Sequence, residues 1–389
     1  MKCLQVSAEF KPKPTYSPTP RELQNKMALI GSEVFYNPRI ELIDKPIPHP
    51  KSDEVLIKIG SCGVCGSDTM FLEPSPDNYS QFVAHCKLPC VIGHEYSGEI
   101  VEIGSKVKDL NVGDLVVAET MNWCGECPAC RQGLFNQCQN LEELGFTLDG
   151  GFAEYMIAKS KYCFVVNRFT DIYGTKQRAL EAAAVIEPTA VAYNGMFICS
   201  GGFSPGGYVA VYGCGPIGLS AISLASISGA AKIIAFDRHE DKLQKAKTMG
   251  ADVVYNVNEL KKANIRQSQI IMEETGGVGA MLQVEATKTK SETMLEMGAS
   301  IADGGKIVQI GVGGQIVDFD PFKLQTKAAS FSASIGSSGH GIWQNIIRLV
   351  ENRKLDISKL IACRYPLDDV LTAIKHAKFG VAGKILVNP

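Results

Sequence analysis

The fold is decided by residues 208–218, which read YVAVYGCGPIG. The apolar and aromatic run at 208–212 predicts a short buried strand. Gly213, Gly215 and Gly218 follow at once, and the alanine-, serine- and leucine-rich segment after them predicts a helix. A strand, a glycine-rich turn and a helix in this order predict a site where main-chain N–H groups bind the phosphates of a dinucleotide.

Each residue of this turn has an expected role. Gly213 would make the tight turn, Gly215 would let the backbone approach a pyrophosphate, and Gly218 would let helix and strand pack closely. A purely structural turn is the alternative, since glycine-rich turns are common. The predicted cofactor-binding residues of the loop are Gly213, Gly215, Pro216, Ile217 and Gly218.

The next predicted strand, 232–236, runs into Asp237. A carboxylate at this point accepts hydrogen bonds from the adenosine ribose hydroxyls and repels a 2′-phosphate, so NAD is favoured over NADP. Arg238 complicates this choice, because a guanidinium could pair with that phosphate or lie flat on the adenine.

The rest of the sequence predicts two domains with different secondary structure. Further strands at 252–255, 281–285 and 306–310 alternate with helices, which is typical of a parallel doubly wound sheet of the α/β class. The amino-terminal part instead consists of short strands separated by prolines. A length of 389 residues also exceeds what one hydrophobic core usually serves.

Composition excludes several classes of function. The net charge is −2 with no long run of one sign, so we expect no nucleic-acid partner and no anionic-membrane partner. The start of the chain lacks the apolar core of a signal peptide, and no apolar run approaches the length of a membrane span. We therefore expect a cytoplasmic protein.

Four of the thirteen cysteines form a compact motif. Cys124, Cys127 and Cys130 are spaced as two successive C-x-x-C steps, and Cys138 follows. This spacing predicts a closed four-thiolate zinc site with a structural role, in a lobe at about 120–140. Disulfide pairing is the alternative, which a reducing compartment disfavours.

A second metal site is suggested by Cys65, His94 and Glu95. These side chains are of the types that bind zinc in open, catalytic sites. The 28 intervening residues mean that only the fold could bring Cys65 and His94 together, and a His-Glu pair taken alone is more often hydrogen-bonded than metal-bound. Cys62 and Cys65 could also be read as a redox C-x-x-C, without the βαβ surroundings that such a motif has.

The order of the motifs carries a resemblance to a known family. The segments G-x-C-G-S-D at 63–68, G-H-E-x-x-G at 93–98, the four-cysteine lobe, G-G-F-A-E-Y at 150–155 and the Gly213 loop follow one another. The chain thus resembles the zinc-containing medium-chain alcohol and polyol dehydrogenases from end to end. Glu187-Pro188 resembles the sorbitol dehydrogenase branch, and the proline-rich insertion near the amino terminus resembles bacterial members acting on inositol ketones.

The resemblance implies a fold and a domain organisation. A GroES-like β domain, expected at 1–189 and 337–389, would hold the catalytic zinc. A Rossmann domain, expected at 190–336, would bind NAD. The implied activity is hydride transfer between NAD and a secondary alcohol of a cyclitol or polyol, including inositol, inosose and amino-cyclitol types.

The resemblance also implies roles for individual residues. Cys65, His94 and either Glu95 or Glu187 would bind the catalytic zinc, so that the chain would carry two zinc ions. Ser67 would relay the proton and Asp68 would orient the His94 imidazole. The implied cofactor contacts are Ile217, Asp237, Arg238 and Lys242 around the adenosine, with Gly311 and Val312 near the nicotinamide.

Two other functions remain open at this point. The first is a zinc-independent reductase of the same fold that acts on enones or quinones, and the second is a non-catalytic binding protein. The presence of every metal ligand argues against both. The resemblance further implies a small polyhydroxylated substrate and a homo-oligomer, with a tetramer favoured over a dimer.

Overall fold

Strands predominate in the amino-terminal part of the computed structural model, which describes residues 1–287, 291–312 and 316–389. They are β1 (Lys2–Phe10), β2 (Phe35–Asp44), β3 (Glu54–Gly63), β4 (Cys90–Val91), β5 (Glu95–Ile103), β6 (Leu115–Ala118), β7 (Met121–Asn122), β8 (Glu142–Glu143), β9 (Tyr155–Lys159) and β10 (Cys163–Val165). The helices of this part are α1 (Pro20–Asn25), α2 (Gly31–Val34), α3 (Pro128–Arg131), α4 (Phe169–Tyr173), α5 (Lys176–Ala184) and α6 (Ile186–Tyr193).

The β3 strand is central to the sheet that positions the first metal site. It pairs antiparallel with β5 and with β9, and β5 pairs in turn with β6. Alternate apolar side chains of β3, among them Val55, Ile57 and Ile59, are almost fully buried. This burial stabilises the strand, which begins four residues after Pro50.

The six-stranded sheet that follows is entirely parallel. Its strands are β11 (Tyr208–Tyr212), β12 (Lys232–Asp237), β13 (Val253–Asn256), β14 (Ala280–Glu285), β15 (Ile301–Gln309) and β16 (Ser330–Ala333). Their order is β13-β12-β11-β14-β15-β16. This is the order of a dinucleotide-binding doubly wound sheet, so the predicted α/β fold is confirmed.

The helices between these strands match the alternation read from the sequence. They are α7 (Pro216–Ile227), α8 (Glu240–Thr248), α9 (Val257–Lys262), α10 (Gln267–Glu274), α11 (Ser291–Ala299), α12 (Pro321–Thr326) and α13 (Ile342–Glu351). A π-helical segment, Asn194–Cys199, precedes β11. The core of this unit includes Tyr212, Ile234, Phe236 and Ile307, all buried.

The carboxyl-terminal tail returns to the first sheet. Its elements are β17 (Ile361–Pro366), α14 (Val370–Phe379) and β18 (Lys384–Asn388). The last strand pairs parallel with β17 and antiparallel with β3, where Leu386 faces Gly63 and Val387 faces Cys62. The tail thereby completes the β domain, as the resemblance implies.

Two compact units result. One comprises Met1–Glu187, Ile361–Gly380 and Lys384–Pro389, and the other comprises Pro188–Leu360 and Val381–Gly383. Residues 337–360, which the sequence analysis grouped with the β domain, pack with the parallel sheet instead, because the buried face of α13 is covered within that unit. The functional domain boundaries stay a prediction.

One helical segment, Lys176–Cys199, has the length and apolar composition of a membrane span. The sequence analysis expected no apolar run of this length, and that expectation was wrong. In the structure 72% of the apolar window is buried. Such burial is typical of a helix in the core of a folded domain.

Candidate functional site

The first metal site is assembled by the pairing of β3 with β5. Gly63, the last residue of β3, faces Glu95, the first residue of β5. This register brings Cys65, just after β3, beside His94 and Glu95, and the ligand atoms of these three residues lie within 4.8 Å of one another. A Cβ at position 63 would lie 2.2 Å from Glu95 Oε2, so a larger residue there would displace this carboxylate.

Two further residues of the G-x-C-G-S-D segment approach this group. The carboxylate of Asp68 accepts a hydrogen bond from the Cys65 main-chain N–H at 2.8 Å, and its other oxygen lies 3.8 Å from His94 Nδ1. Burial raises the pKa of Asp68 to about 6, against the lowering effect of the His94 charge. Asp68 is therefore positioned to orient the His94 ring, as such partners of metal ligands usually do.

An aromatic ring holds the other side of His94. The Phe146 ring packs against the imidazole with centroids 4.6 Å apart. Phe82 stacks on Phe146 at 5.1 Å, and Phe71 stacks on Phe82 at 4.7 Å. The sequence analysis did not select these three residues, because the rings lie far apart in the chain and share no motif.

Several buried polar atoms around the group have no hydrogen-bond partner among the residues that the structure describes. They are Ser67 Oγ, Asp68 Oδ1, His94 Nδ1 and Glu95 Oε2. A buried polar atom without a partner costs free energy, so a native site normally satisfies it with a ligand, water or ion. Thiolate, imidazole and carboxylate are also the ligands that zinc takes in open sites. The residues therefore fit a zinc ion.

The electrostatics of the pocket favour a cation. Burial by itself would lower the pKa of His94, but the negative charges of Cys65, Asp68 and Glu187 outweigh it and raise that pKa to about 10. The same charges would stabilise a divalent metal ion in this position.

Glu187 lies in the first turn of α6 and is 8% exposed. Burial raises its pKa to about 7, with a lowering contribution from His94 and a raising one from Glu95. Within the described parts of the chain, the close group of potential ligands contains Glu95 and not Glu187. Of the two carboxylates that the sequence left open, the geometry favours Glu95 as the direct ligand.

Lys384 is a residue of this site that the sequence analysis missed. Its ammonium donates to Glu95 Oε1 at 2.6 Å and to the Val64 carbonyl at 3.0 Å, and both side chains of the pair are almost fully buried. Burial alone would lower the pKa of Lys384, but the charges of Glu95 and Cys65 raise it. The available signal was a lysine at the head of the apolar strand Lys384–Asn388.

The four-cysteine lobe forms a second group. The Sγ atoms of Cys124, Cys127, Cys130 and Cys138 lie within 4.8 Å of one another, and all four cysteines are free of disulfides. Cys127 and Cys138 are 3.9 Å apart at sulfur, about twice the length of a disulfide bond. This arrangement fits the predicted zinc and not the disulfide alternative.

Main-chain N–H groups prepare these sulfurs for a metal. Cys124 Sγ accepts from the N–H groups of Glu126 and Cys127, each at 3.4 Å. These hydrogen bonds lower the pKa of Cys124 to about 6. Cys138 Sγ accepts from Asn140 at 3.3 Å, although burial outweighs this contact and raises the pKa of Cys138. Thiolates held in this way are the form that binds zinc.

The glycine-rich loop has the geometry expected of a dinucleotide site. Gly213 has φ +93°, a conformation that favours glycine, and a Cβ at Gly218 would lie 1.8 Å from the Gly213 carbonyl oxygen. A Cβ at Gly215 would meet nothing within 4 Å. Gly215 also caps α7 without a side-chain hydrogen bond, and Pro216 begins the helix. The first main-chain N–H groups of α7 are thus available to an anion.

Asp237, the last residue of the neighbouring strand β12, lies beside this loop. Its carboxylate accepts from the Cys214 N–H at 2.7 Å and from the N–H groups of Arg238 and His239 at 2.7 and 3.0 Å. Arg238 is exposed, whereas Ile217 and Lys242 are half-buried. The acid is therefore fixed beside the turn, where the fingerprint requires it.

Gly311 and Val312 follow β15. A Cβ at Gly311 would lie 1.9 Å from the Thr287 carbonyl oxygen, so this position requires glycine. Val312 is 56% exposed, as a side chain that contacts a ligand would be before binding. Their role at the nicotinamide, like the roles of the other predicted site residues, stays a prediction.

Comparison with known proteins agrees with this geometry. The alcohol dehydrogenase GroES-like domain model matches residues 51–168, and the zinc-binding dehydrogenase model matches residues 216–352. Scyllo-inosose 3-dehydrogenase of Thermotoga maritima is 32% identical over 97% of this chain and 96% of its own length. L-threonine 3-dehydrogenase of Thermococcus kodakarensis is 30% identical over 90% of this chain and 94% of its own.

A solved structure gives the same result. A Thermotoga maritima protein described as a candidate alcohol dehydrogenase matches with a TM-score of 0.93 and 29% identity, covering 100% of both chains. The resemblance read from the motifs is confirmed, and the non-catalytic alternative loses its support. The chain belongs to the zinc-containing medium-chain dehydrogenases, a family of oxidoreductases that use zinc and a nicotinamide cofactor.

Proposed function

We propose that this dehydrogenase transfers hydride between NAD and a secondary alcohol of a cyclitol or polyol, of the inositol, inosose or amino-cyclitol type. The observation that carries the proposal is the composition of the first metal site, which has one thiolate, Cys65, and one carboxylate, Glu95, with the buried Glu187 near enough to interact electrostatically with Glu95. Oxygen-rich surroundings suit a substrate with many hydroxyl groups, each of which needs a partner once it is buried. The similarity to a scyllo-inosose 3-dehydrogenase supports the same class.

Zinc, held by Cys65, His94 and Glu95, would supply the Lewis acidity that lowers the pKa of an alcohol. NAD would serve as the hydride acceptor, with its pyrophosphate on the Gly213 loop. Ser67 Oγ has no hydrogen-bond partner within the described parts of the chain and is the hydroxyl that would accept the substrate proton. Asp68 would keep His94 oriented while this happens.

Lys384 would fix the geometry of Glu95. One carboxylate oxygen is occupied by the ammonium group, which leaves Oε2 as the atom available to a metal. The fixed pair restricts Glu95 to one rotamer and offsets one of the negative charges in the pocket. The site thus keeps the carboxylate in place without an excess of charge.

The Asp237 carboxylate supports NAD as the cofactor. It is held beside the turn by three main-chain N–H groups, where it would accept from ribose hydroxyls and repel a 2′-phosphate. If this is correct, Asp237→Ser should reduce the preference for NAD over NADP in kcat/KM, and an unchanged preference would refute the assignment.

The alternatives differ in substrate and in metal use. A zinc-independent enone or quinone reductase would not need Cys65, His94 and Glu95 in one group. The similarity to L-threonine 3-dehydrogenase makes a β-hydroxy amino acid the second candidate substrate. We further propose a cytoplasmic homo-tetramer, which light scattering of the purified protein would test against a dimer.

The test measures NADH formation, by its absorbance, with a panel of substrates. Cyclitols, linear polyols, simple alcohols and L-threonine are each offered with NAD at equal concentration. An enone is offered separately with NADH, because it is a hydride acceptor. The proposal expects the highest kcat/KM for a cyclitol or polyol. A clear preference for L-threonine, or turnover of enones alone, would overturn it.

A further inference from the structure

A cavity bordered by Cys124 of the four-cysteine lobe lies between this lobe and the amino-terminal segment. Its volume is about 500 Å³, within the range of small-molecule sites. We call it the lobe cavity and define it by Arg21, Asn25, Lys87, Asn122, Trp123 and Lys161, which are among its lining residues. The dehydrogenase reaction proposed above uses none of them.

The lining is strongly positive. Arg21, Lys87, Lys159 and Lys161 border the cavity against a single carboxylate, Glu142. Glu142 pairs with Lys159 at 2.6 Å. Within the described parts of the chain, Arg21, Lys87 and Lys161 form no ion pair, so three cations remain without a counter-charge. Three uncompensated cations around one cavity favour an anion with more than one negative charge.

Asn122 gives an independent sign of a ligand. It is 3% exposed and borders the cavity, and within residues 1–287, 291–312 and 316–389 neither its Nδ2 nor its Oδ1 has a hydrogen-bond partner. A buried amide without partners is costly, and native proteins normally satisfy both its donor and its acceptor. The missing partner must therefore both accept and donate a hydrogen bond.

The walls of the lobe cavity are fixed by the fold. Arg21 and Asn25 lie one turn apart on α1, whose start is held by hydrogen bonds between Thr19 and Glu22. Lys87 is anchored by its main-chain N–H, which donates to the Phe146 carbonyl at 2.9 Å. The cations are thus brought together by three segments that the hydrogen bonding holds in place.

An aromatic side chain forms one wall of the lobe cavity. Trp123 donates through its indole N–H to Glu119 at 3.1 Å, and the Lys161 ammonium lies over its ring at 5.7 Å from the centroid. The indole therefore closes one side and holds Lys161 near the cavity.

We propose that the lobe cavity binds a small phosphate ester that carries hydroxyl groups. The phosphate would meet Arg21, Lys87 and Lys161, since guanidinium and ammonium groups form charge-assisted hydrogen bonds to phosphate oxygens. The hydroxyl groups of the ester would both donate to and accept from the Asn122 amide. This site is separate from the Gly213 loop, which takes the phosphates of the dinucleotide.

Calorimetric titration of the intact zinc-loaded protein with inorganic phosphate and then with pyrophosphate tests the proposal. Saturating NAD keeps the Gly213 loop filled, so that the heat reports a second anion site. The test variant is Arg21→Gln/Lys87→Gln, whose side chains make no hydrogen bond that the fold needs. The matched control is Lys108→Gln, an exposed lysine that does not line the cavity.

The proposal expects saturable binding in the wild type and in the control. In the double variant the affinity should fall by at least about tenfold, with kcat unchanged. Absence of saturable heat with both probes would overturn it, as would equal affinity in all three proteins. Should the double variant fail a thermal-melt check, Lys161→Gln alone is titrated and judged by the same outcomes. None of these results depends on which alcohol the enzyme oxidises.

Discussion

Replacement of Lys384 by methionine should destabilise the protein more than any surface substitution. The ammonium group lies 2.6 Å from Glu95 Oε1, and both side chains are almost fully buried. Removing one partner of such a pair leaves a buried charge uncompensated, which costs about 3–5 kcal/mol. This is a large part of the 5–15 kcal/mol that typically stabilises a folded domain.

The assay is urea denaturation at neutral pH of the wild type, Lys384→Met and Lys384→Met/Glu95→Gln, each treated with a chelator so that no metal ion at Glu95 offsets its charge or is lost with the double variant. The double variant should recover part of the loss, because it no longer leaves a charge unpaired. The matched control is Lys378→Met, which removes a lysine from an exposed pair with Glu73 and should cost less than about 1 kcal/mol. A Lys384→Met loss no larger than that of the control would refute the buried-pair argument.

Three further outcomes are expected. The Glu181 carboxylate pairs with Arg364 at 2.8 Å. Burial alone would raise the pKa of Glu181, but the hydrogen bond and charge of Arg364 outweigh it and lower that pKa below 4.5. The stabilisation from this pair is therefore present above pH 4.5 and lost as the pH falls through the folded pKa. Glu181→Gln should therefore flatten the stability-pH profile on the acid side, and an unchanged profile would contradict this. Gly215→Ala should keep the melting temperature and weaken NAD binding. Gly218→Ala should weaken NAD binding and also destabilise the fold by about 1–3 kcal/mol. Thermal melting and NAD titration of both variants measure these effects. Cys130→Ser should remove one zinc ion per chain and lower the melting temperature, and metal analysis that still finds the full zinc content would count against the lobe assignment.

The parallel sheet was predictable because its signals are local. The run at 208–212, the three glycines after it and Asp237 lie close together in sequence, and each has one physical reason to be there. The ends of elements were less predictable. β15 begins at Ile301, five residues before the predicted start at 306, because its register with β14 shifts between Ala280 and Leu282.

The metal site was predictable only in part. His94 and Glu95 are neighbours, but their meeting with Cys65 depends on the β3–β5 register, which no local pattern encodes. Lys384 lies 289 residues from Glu95, and the tail reaches it only because β18 pairs with β3. Long-range strand pairing therefore decides the part of the site that the residues alone left open.

The most direct test of the central claim is zinc content per chain measured together with NADH formation from a cyclitol, for the wild type and Cys65→Ser. The account predicts two zinc ions and turnover in the wild type, and one zinc ion without turnover in the variant, since Cys65 is the only thiolate of the first site. Two retained zinc ions and full activity in Cys65→Ser would contradict it.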